Sequence, residues 1–161
     1  MRDIAAATGN NYMLDNSVPP HLSLGLFHAE EEKEGEMAKL FEEFAEGLKS
    51  RDAGLSLKFN GPDNFADKVI YLSVVRDEPL MKLNRDLHQL FLPHFEEGDN
   101  RNYLPENWVP HIALAVKLSG SQFEKGFAVA KNFPLPKSAK ITLATLARCN
   151  PYNEEIGRAH V

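Results

Sequence analysis

Pro20-His21-Leu22-Ser23-Leu24-Gly25-Leu26 returns ninety residues further on as Pro110-His111-Ile112-Ala113-Leu114-Ala115-Val116, and the reading of this pair decides the fold. Both copies run Pro-His-apolar-small-apolar-small-apolar. Side chains alternate across a strand, so His21, Ser23 and Gly25 are expected on one face and Leu22, Leu24 and Leu26 on the other. In the second copy His111, Ala113 and Ala115 oppose Ile112, Leu114 and Val116 in the same way. The large apolar face is the core face. The opposite one, paved with small residues and one histidine per strand, suits the lining of a groove open to a ligand.

Outward from the repeat, residues 21–27 form the first strand, and Met37, Leu40, Phe41, Phe44 and Leu48 mark an amphipathic helix over 30–51. Leu55, Leu57 and Phe59 alternate in a second strand, Asn60-Gly61-Pro62-Asp63 supplies a turn, and 68–75 is a β-branched and aromatic strand that completes a hairpin-like pair. Leu80, Leu83, Leu87, Leu90 and Phe91 trace a second helix with Glu78 and Pro79 at its start. A polar loop over 96–110 leads to a strand over 111–118, a weaker helix over 122–131 and a last strand over 139–147. Strands interleaved with helices suit α+β layers, and no linker divides the chain.

The 161 residues are 43% apolar and 25% charged, with 10 Gly and 10 Pro, which is the composition of an ordinary globular domain and excludes coiled-coil, collagen-like and disordered classes. Eighteen Lys and Arg against 23 Asp and Glu give a net charge of -5, so the field that proteins tracking many phosphates carry is lacking. A small site for one or two phosphates remains open to it. The single cysteine, Cys149, rules out an internal disulfide or a cysteine-based zinc cluster. The apolar runs at 69–75 and 112–116 fall far short of the roughly 20 residues of a membrane helix. The expected setting is reducing and cytoplasmic, without membrane association, and the expected state is a monomer.

Both ends carry expectations of their own. The Ala-rich stretch 4–8 followed by Gly9-Asn10 reads as the tail of a helix, so an upstream segment is expected to be missing. Residues 155–161 are what a widely used sequencing adapter encodes in one frame, ending at a stop codon. They are expected to be an artefact, which sets a single domain at 1–154.

Two histidines on facing strands can carry acid-base chemistry at a phosphate. One neutral imidazole takes a proton from an attacking water or hydroxyl while the other, protonated, gives one to the leaving oxygen. With an unperturbed pKa near 6.5 both roles are accessible around neutral pH, each worth about 10² to 10⁴ in rate, and no metal is required. Ser23, one strand-step from His21, can donate to a nonbridging phosphate oxygen.

These residues resemble the 2H phosphoesterase superfamily in its LigT-like, 2'-5' RNA ligase branch, whose members carry two His-x-Thr/Ser-x motifs on strands. The motifs are His21-Leu22-Ser23-Leu24 and His111-Ile112-Ala113-Leu114 here, and the resemblance runs from Met1 to about Tyr152. It implies a bilobed α+β fold with pseudo-twofold duplicated lobes around a central groove. It also implies a cyclic phosphodiesterase that needs no cofactor and acts on 2',3'-cyclic phosphate ends of RNA or small cyclic nucleotide phosphates, with 2'-5' joining as the reverse reaction. His21 and His111 would be catalytic and Ser23 would bind substrate. Two departures stand out: Ala113 takes the place of the second hydroxyl residue, and the family's strand and full helix ahead of the first motif are reduced to a helix end. The alternative is therefore a weakened module that binds a nucleotide or RNA end without turning it over; a structural domain with two incidental histidines explains the repeat least well.

The remaining candidates have plainer readings. His88 and His94 are expected in surface or helix-end roles, and His28 in a turn. Tyr71 and Trp108 suit core packing better than stacking on a base. The acidic run 30–36 is a solvated helix start, Cys149 is inert, and His160 falls in the suspected adapter segment. Metal ligation by His21 and His111 is disfavoured because no Asp, Glu or Cys clusters with them.

Overall fold

The computed structural model describes residues 1–49, 55–149 and 154–160. In chain order the elements are α1 (Arg2–Thr8), α2 (Tyr12–Asp15), β1 (Phe27–His28), α3 (Glu34–Lys49), β2 (Ser56–Phe65), β3 (Val69–Val74), α4 (Glu78–Phe91), β4 (Glu96–Glu97), β5 (His111–Ala115), α5 (Gly120–Asn132), β6 (Ser138–Lys140), β7 (Leu143–Arg148) and β8 (Glu154–His160). Helices and antiparallel strands mix as an α+β fold requires. The chain divides into two compact units, the first made of Met1–Ser23, Lys58–Val75 and Pro110–Ser138, the second of Leu24–Leu57, Arg76–Val109 and Ala139–Val161.

In the first unit β3, β-branched or aromatic at most positions, pairs antiparallel with β5 on one side and β2 on the other, and the sheet runs β5-β3-β2-β6. Its core joins Ile4 of α1, Ile70 of β3, Ala115 of β5, Leu118 and Ala130 of α5. The helices come this close because Gly126 has no side chain. A Cβ there would lie 2.9 Å from Ile70 Cδ1 and 2.9 Å from Thr8 Cγ2. Gly9, at φ 69, ends α1 in the left-handed conformation expected of the Gly-Asn stop. Gln122 caps α5 by accepting from the Ser119 N–H (3.0 Å) and also donates to the Thr8 carbonyl (3.2 Å).

In the second unit α3 and α4 bury Phe41, Phe44, Leu48, Leu83, Leu87 and Phe91. Asp77 caps α4 by accepting from the Leu80 N–H at 3.2 Å. Asn84, fully buried on α4, donates to the carbonyls of Leu24 (2.7 Å) and Tyr103 (3.1 Å). β1 pairs with β4, and β7 with β8.

Several expectations shift. Asn60-Gly61-Pro62-Asp63 lies within β2, not at its end: Gly61, at φ 111, serves a register shift between Phe59 and Gly61, and the chain turns at Ala66 and Asp67, both at positive φ. The first expected strand, 21–27, is reduced to a bridge at Leu22 and the two-residue β1, because the intervening Leu24 carbonyl goes to Asn84 instead of a ladder. Ala115 does not share the face of His111 and Ala113. A bulge, in which Ile70 pairs Ala115 and Tyr71 pairs Ala113, turns it into the core. The last expected strand is two strands, β6 and β7. Residues 154–160 form β8, antiparallel to β7, and this pairing leaves the expectation of an adapter-encoded tail as it stood. His28 pairs with Glu96 in a strand. His88 is buried, four residues from Asn84 on the inner side of α4, with its Nδ1–H donating to the Asn84 carbonyl at 2.8 Å. Arg51, Tyr152 and Val161 lie outside the described residues.

Candidate active site

The β3–β5 register sets Ser73 opposite His111, Leu72 opposite Ile112 and Tyr71 opposite Ala113. On the other side of β5, Leu22 forms an antiparallel bridge with Ile112. Directly opposed residues share a face, so Leu22, Ile112 and Leu72 form one face while His21, Ser23, His111, Ala113, Tyr71 and Ser73 stand on the other. Extended by one residue each way in antiparallel register, this bridge would set Ser23 opposite His111 and His21 opposite Ala113. In that register His21 and His111 would be a diagonal pair, a relation that in sheets corresponds to about 7–8 Å. Both motifs up to Ser23 and Leu114 belong to the first unit.

His21 is exposed, and its Nδ1 lies 2.9 Å from the Pro19 carbonyl. A carbonyl only accepts, so Nδ1 carries a proton and Nε2 is the ring nitrogen left for chemistry. Pro19, two residues upstream in the Pro-Pro turn, thus orients the imidazole. His111 is half-buried and held by aromatic rings: Phe65 packs edge-on against it at 4.9 Å between centroids, and Tyr71 lies at 5.3 Å. Phe65 and Tyr71 themselves sit 4.2 Å apart. Ser23 is half-buried.

Tyr71 is buried, as its packing reading expected. Asp63 is its direct cross-strand partner. Burial pushes the phenol pKa above its usual value, and the Asp63 charge pushes the same way. Phe65, Asp63 and Ser73 were not singled out from sequence. Their alternation is visible there, but which strand they face depends on a register that the turn at Ala66 and Asp67 decides.

Trp108 is buried in the second unit and takes no part in this face. A cleft of about 390 Å³ in that unit lies between α3 and β8, and neither motif histidine lines it. Among the described residues no three His, Cys, Asp or Glu side chains cluster as metal ligands, and no helix is long and apolar enough to cross a membrane.

The family model described as the 2'-5' RNA ligase superfamily matches residues 2–150, a span that includes both Pro-His segments. The chain belongs to the 2'-5' RNA ligase superfamily. No curated protein matches it. Membership in the 2'-5' RNA ligase superfamily points to phosphoesterase or ligase chemistry, with RNA or nucleotide phosphates as substrates. The family match and the LigT-like resemblance drawn from the two histidine motifs agree.

Proposed function

We propose that the chain is a metal-independent phosphoesterase that opens 2',3'-cyclic phosphate ends of RNA or small cyclic nucleotide phosphates, with His21 and His111 as the acid-base pair and Ser23 as a phosphate donor. The observation that supports this reading is the Leu22–Ile112 bridge, which runs the two motifs side by side. One neutral imidazole takes a proton from water as its oxygen attacks phosphorus. The bond from phosphorus to one ribose oxygen breaks, and the other, protonated imidazole gives that oxygen its proton. Both proton transfers are covered by side chains, so the step needs no metal. With the 5'-hydroxyl of a second RNA end in place of water, the same ring opening, in which the bond from phosphorus to the 3' oxygen breaks and that oxygen takes the proton, joins the ends through a 2'-5' bond. The reading includes a duplicated, pseudo-twofold arrangement, supported by the Pro-His repeat, a cytoplasmic setting, supported by the lone Cys149, and a monomeric state.

Hydrolysis of 2',3'-cyclic nucleotides by the chain in the presence of EDTA tests it. Activity that survives EDTA and falls by about 10² or more in both His21→Ala and His111→Ala is expected on the scale of a single proton-transfer catalyst. Near-full activity in either variant overturns the acid-base assignment. The second reading, a module that binds a nucleotide phosphate without turnover, is favoured by Ala113, which offers no hydroxyl in the second motif. Ligand binding without hydrolysis would decide for it.

A further inference from the structure

The face that carries His111 holds a hydroxyl that the motifs do not include. Ser73 is the direct cross-strand partner of His111, so their Cβ atoms leave the same face about 4.5–5.5 Å apart. It is half-buried, and among the described residues no hydrogen bond engages its hydroxyl. The other hydroxyl on β3 belongs to Tyr71, a buried residue whose cross-strand partner is Asp63. Extending the Leu22–Ile112 bridge by one residue puts Ser23 at the matching position across β5, which would flank His111 with a serine from the segment on each side. Ala113 stands one strand-step along the same face with a methyl group only.

We propose that Ser73 supplies the second hydroxyl donor to a nonbridging phosphate oxygen, in the role that Ala113 cannot fill. The ligand class is a phosphate mono- or diester, and the proposal rests on the two-histidine reading of the site. Ser23 and Ser73 would then donate from opposite sides of His111 and hold the phosphorus between them. The geometry explains how the second motif can lack its own hydroxyl. The donor comes from the neighbouring strand, set in place by β-sheet register, not by motif spacing.

The test combines cyclic-nucleotide kinetics, binding of inorganic phosphate by the chain, and thermal melting. Ser73→Ala is expected to lower kcat/KM about 10- to 100-fold and to weaken phosphate binding, with Tm nearly unchanged, on the low side of a single oxyanion donor. Ser73→Thr keeps most of both. Ala113→Ser has a small effect in the unaltered chain and restores activity in the Ser73→Ala background, because the two positions serve one oxygen. Unchanged kcat/KM and phosphate binding in Ser73→Ala, while His21→Ala and His111→Ala abolish turnover, overturn the proposal and leave the two-histidine reading intact. Loss of activity in parallel with a lowered Tm, rescued by neither Ser73→Thr nor Ala113→Ser, overturns it as well. If the chain binds phosphate without turnover, weaker binding in Ser73→Ala supports the donor role and undiminished binding rejects it. Absence of both binding and turnover in the unaltered chain rejects the reading and the proposal together.

Discussion

Asp63 stands directly opposite Tyr71 in the β2–β3 ladder, its carboxylate beside a buried phenol. Burial first, and the Asp63 charge second, raise the phenol pKa. The folded chain therefore holds this proton longer than the unfolded chain. Stability tied to it is complete below about pH 10, the ordinary phenol range, and is lost as pH climbs through the folded-state value. Tyr71 should ionise above the ordinary phenol range, and Tyr71→Phe should remove that late step. Asp63→Asn should move it earlier without reaching the ordinary value, since burial remains. Phenolate absorbance followed upward from about pH 9 checks this, and identical titrations for the Asp63→Asn and unaltered chains would contradict it.

Phe65 should matter to His111 more than to the fold. It is half-buried and contacts both the Tyr71 ring and the His111 ring. Phe65→Ala should cost about 2 kcal/mol, less than a fully buried phenylalanine, and Phe65→Leu about half that. Both should free the imidazole, read as loss of the ring-current shift on the His111 ring protons by NMR and a fall in turnover larger than the stability change explains. A His111 spectrum unchanged in Phe65→Ala would show that the ring is held by other groups.

Two glycines in helices should respond with opposite signs. Gly126→Ala gains about 1 kcal/mol of helix propensity but drives a methyl group to 2.9 Å from Thr8 Cγ2 and Ile70 Cδ1, with Ile70 fully buried. Overpacking of this kind costs about 1–3 kcal/mol, so the net effect is destabilising. Gly47 on α3 meets nothing within 4 Å, and Gly47→Ala should stabilise by about 0.5–1 kcal/mol. Urea unfolding of both variants decides. A stabilised Gly126→Ala would mean that α1 is not packed against α5 at that point.

Asn84 ties down the last residue of the first motif. Asn84→Ala leaves the Leu24 and Tyr103 carbonyls without that donor in a buried setting, at a cost of about 2–4 kcal/mol. Asn84→Leu, which restores volume but no donor, should recover little of it. Equal stability of Asn84→Leu and the unaltered chain in urea unfolding would show that volume, not hydrogen bonding, keeps the residue there.

Legible in the sequence were the elements whose pattern is local. The spacing of Met37, Phe41, Phe44 and Leu48 marked α3, Leu80, Leu83, Leu87 and Phe91 marked α4, and the Gly9 stop was read correctly, because helical periodicity and capping depend on neighbours within a few residues. The hairpin turn was not. Asn60-Gly61-Pro62-Asp63 contains better turn residues than Ala66-Asp67, yet Gly61 is spent on a bulge, a choice made by the pairing of β2 with β3 and not by local propensity. His88 was misplaced for a similar reason: one step beside Leu87, it falls on the buried side of α4 only because Asn84, one turn earlier, does too.

By itself the sequence determined the two Pro-His segments, their strand character around the second, the α+β class and the family to which the chain belongs. Which residues join the histidines on one face was decided only in three dimensions. Ser73, Tyr71, Asp63 and Phe65 join the face of His111 through antiparallel register, and Ala115 leaves it through a single bulge. The physical reason is the two-residue period of a strand: a shift of one residue reverses every side chain beyond it, and that shift is fixed by hydrogen bonds between segments far apart in the chain.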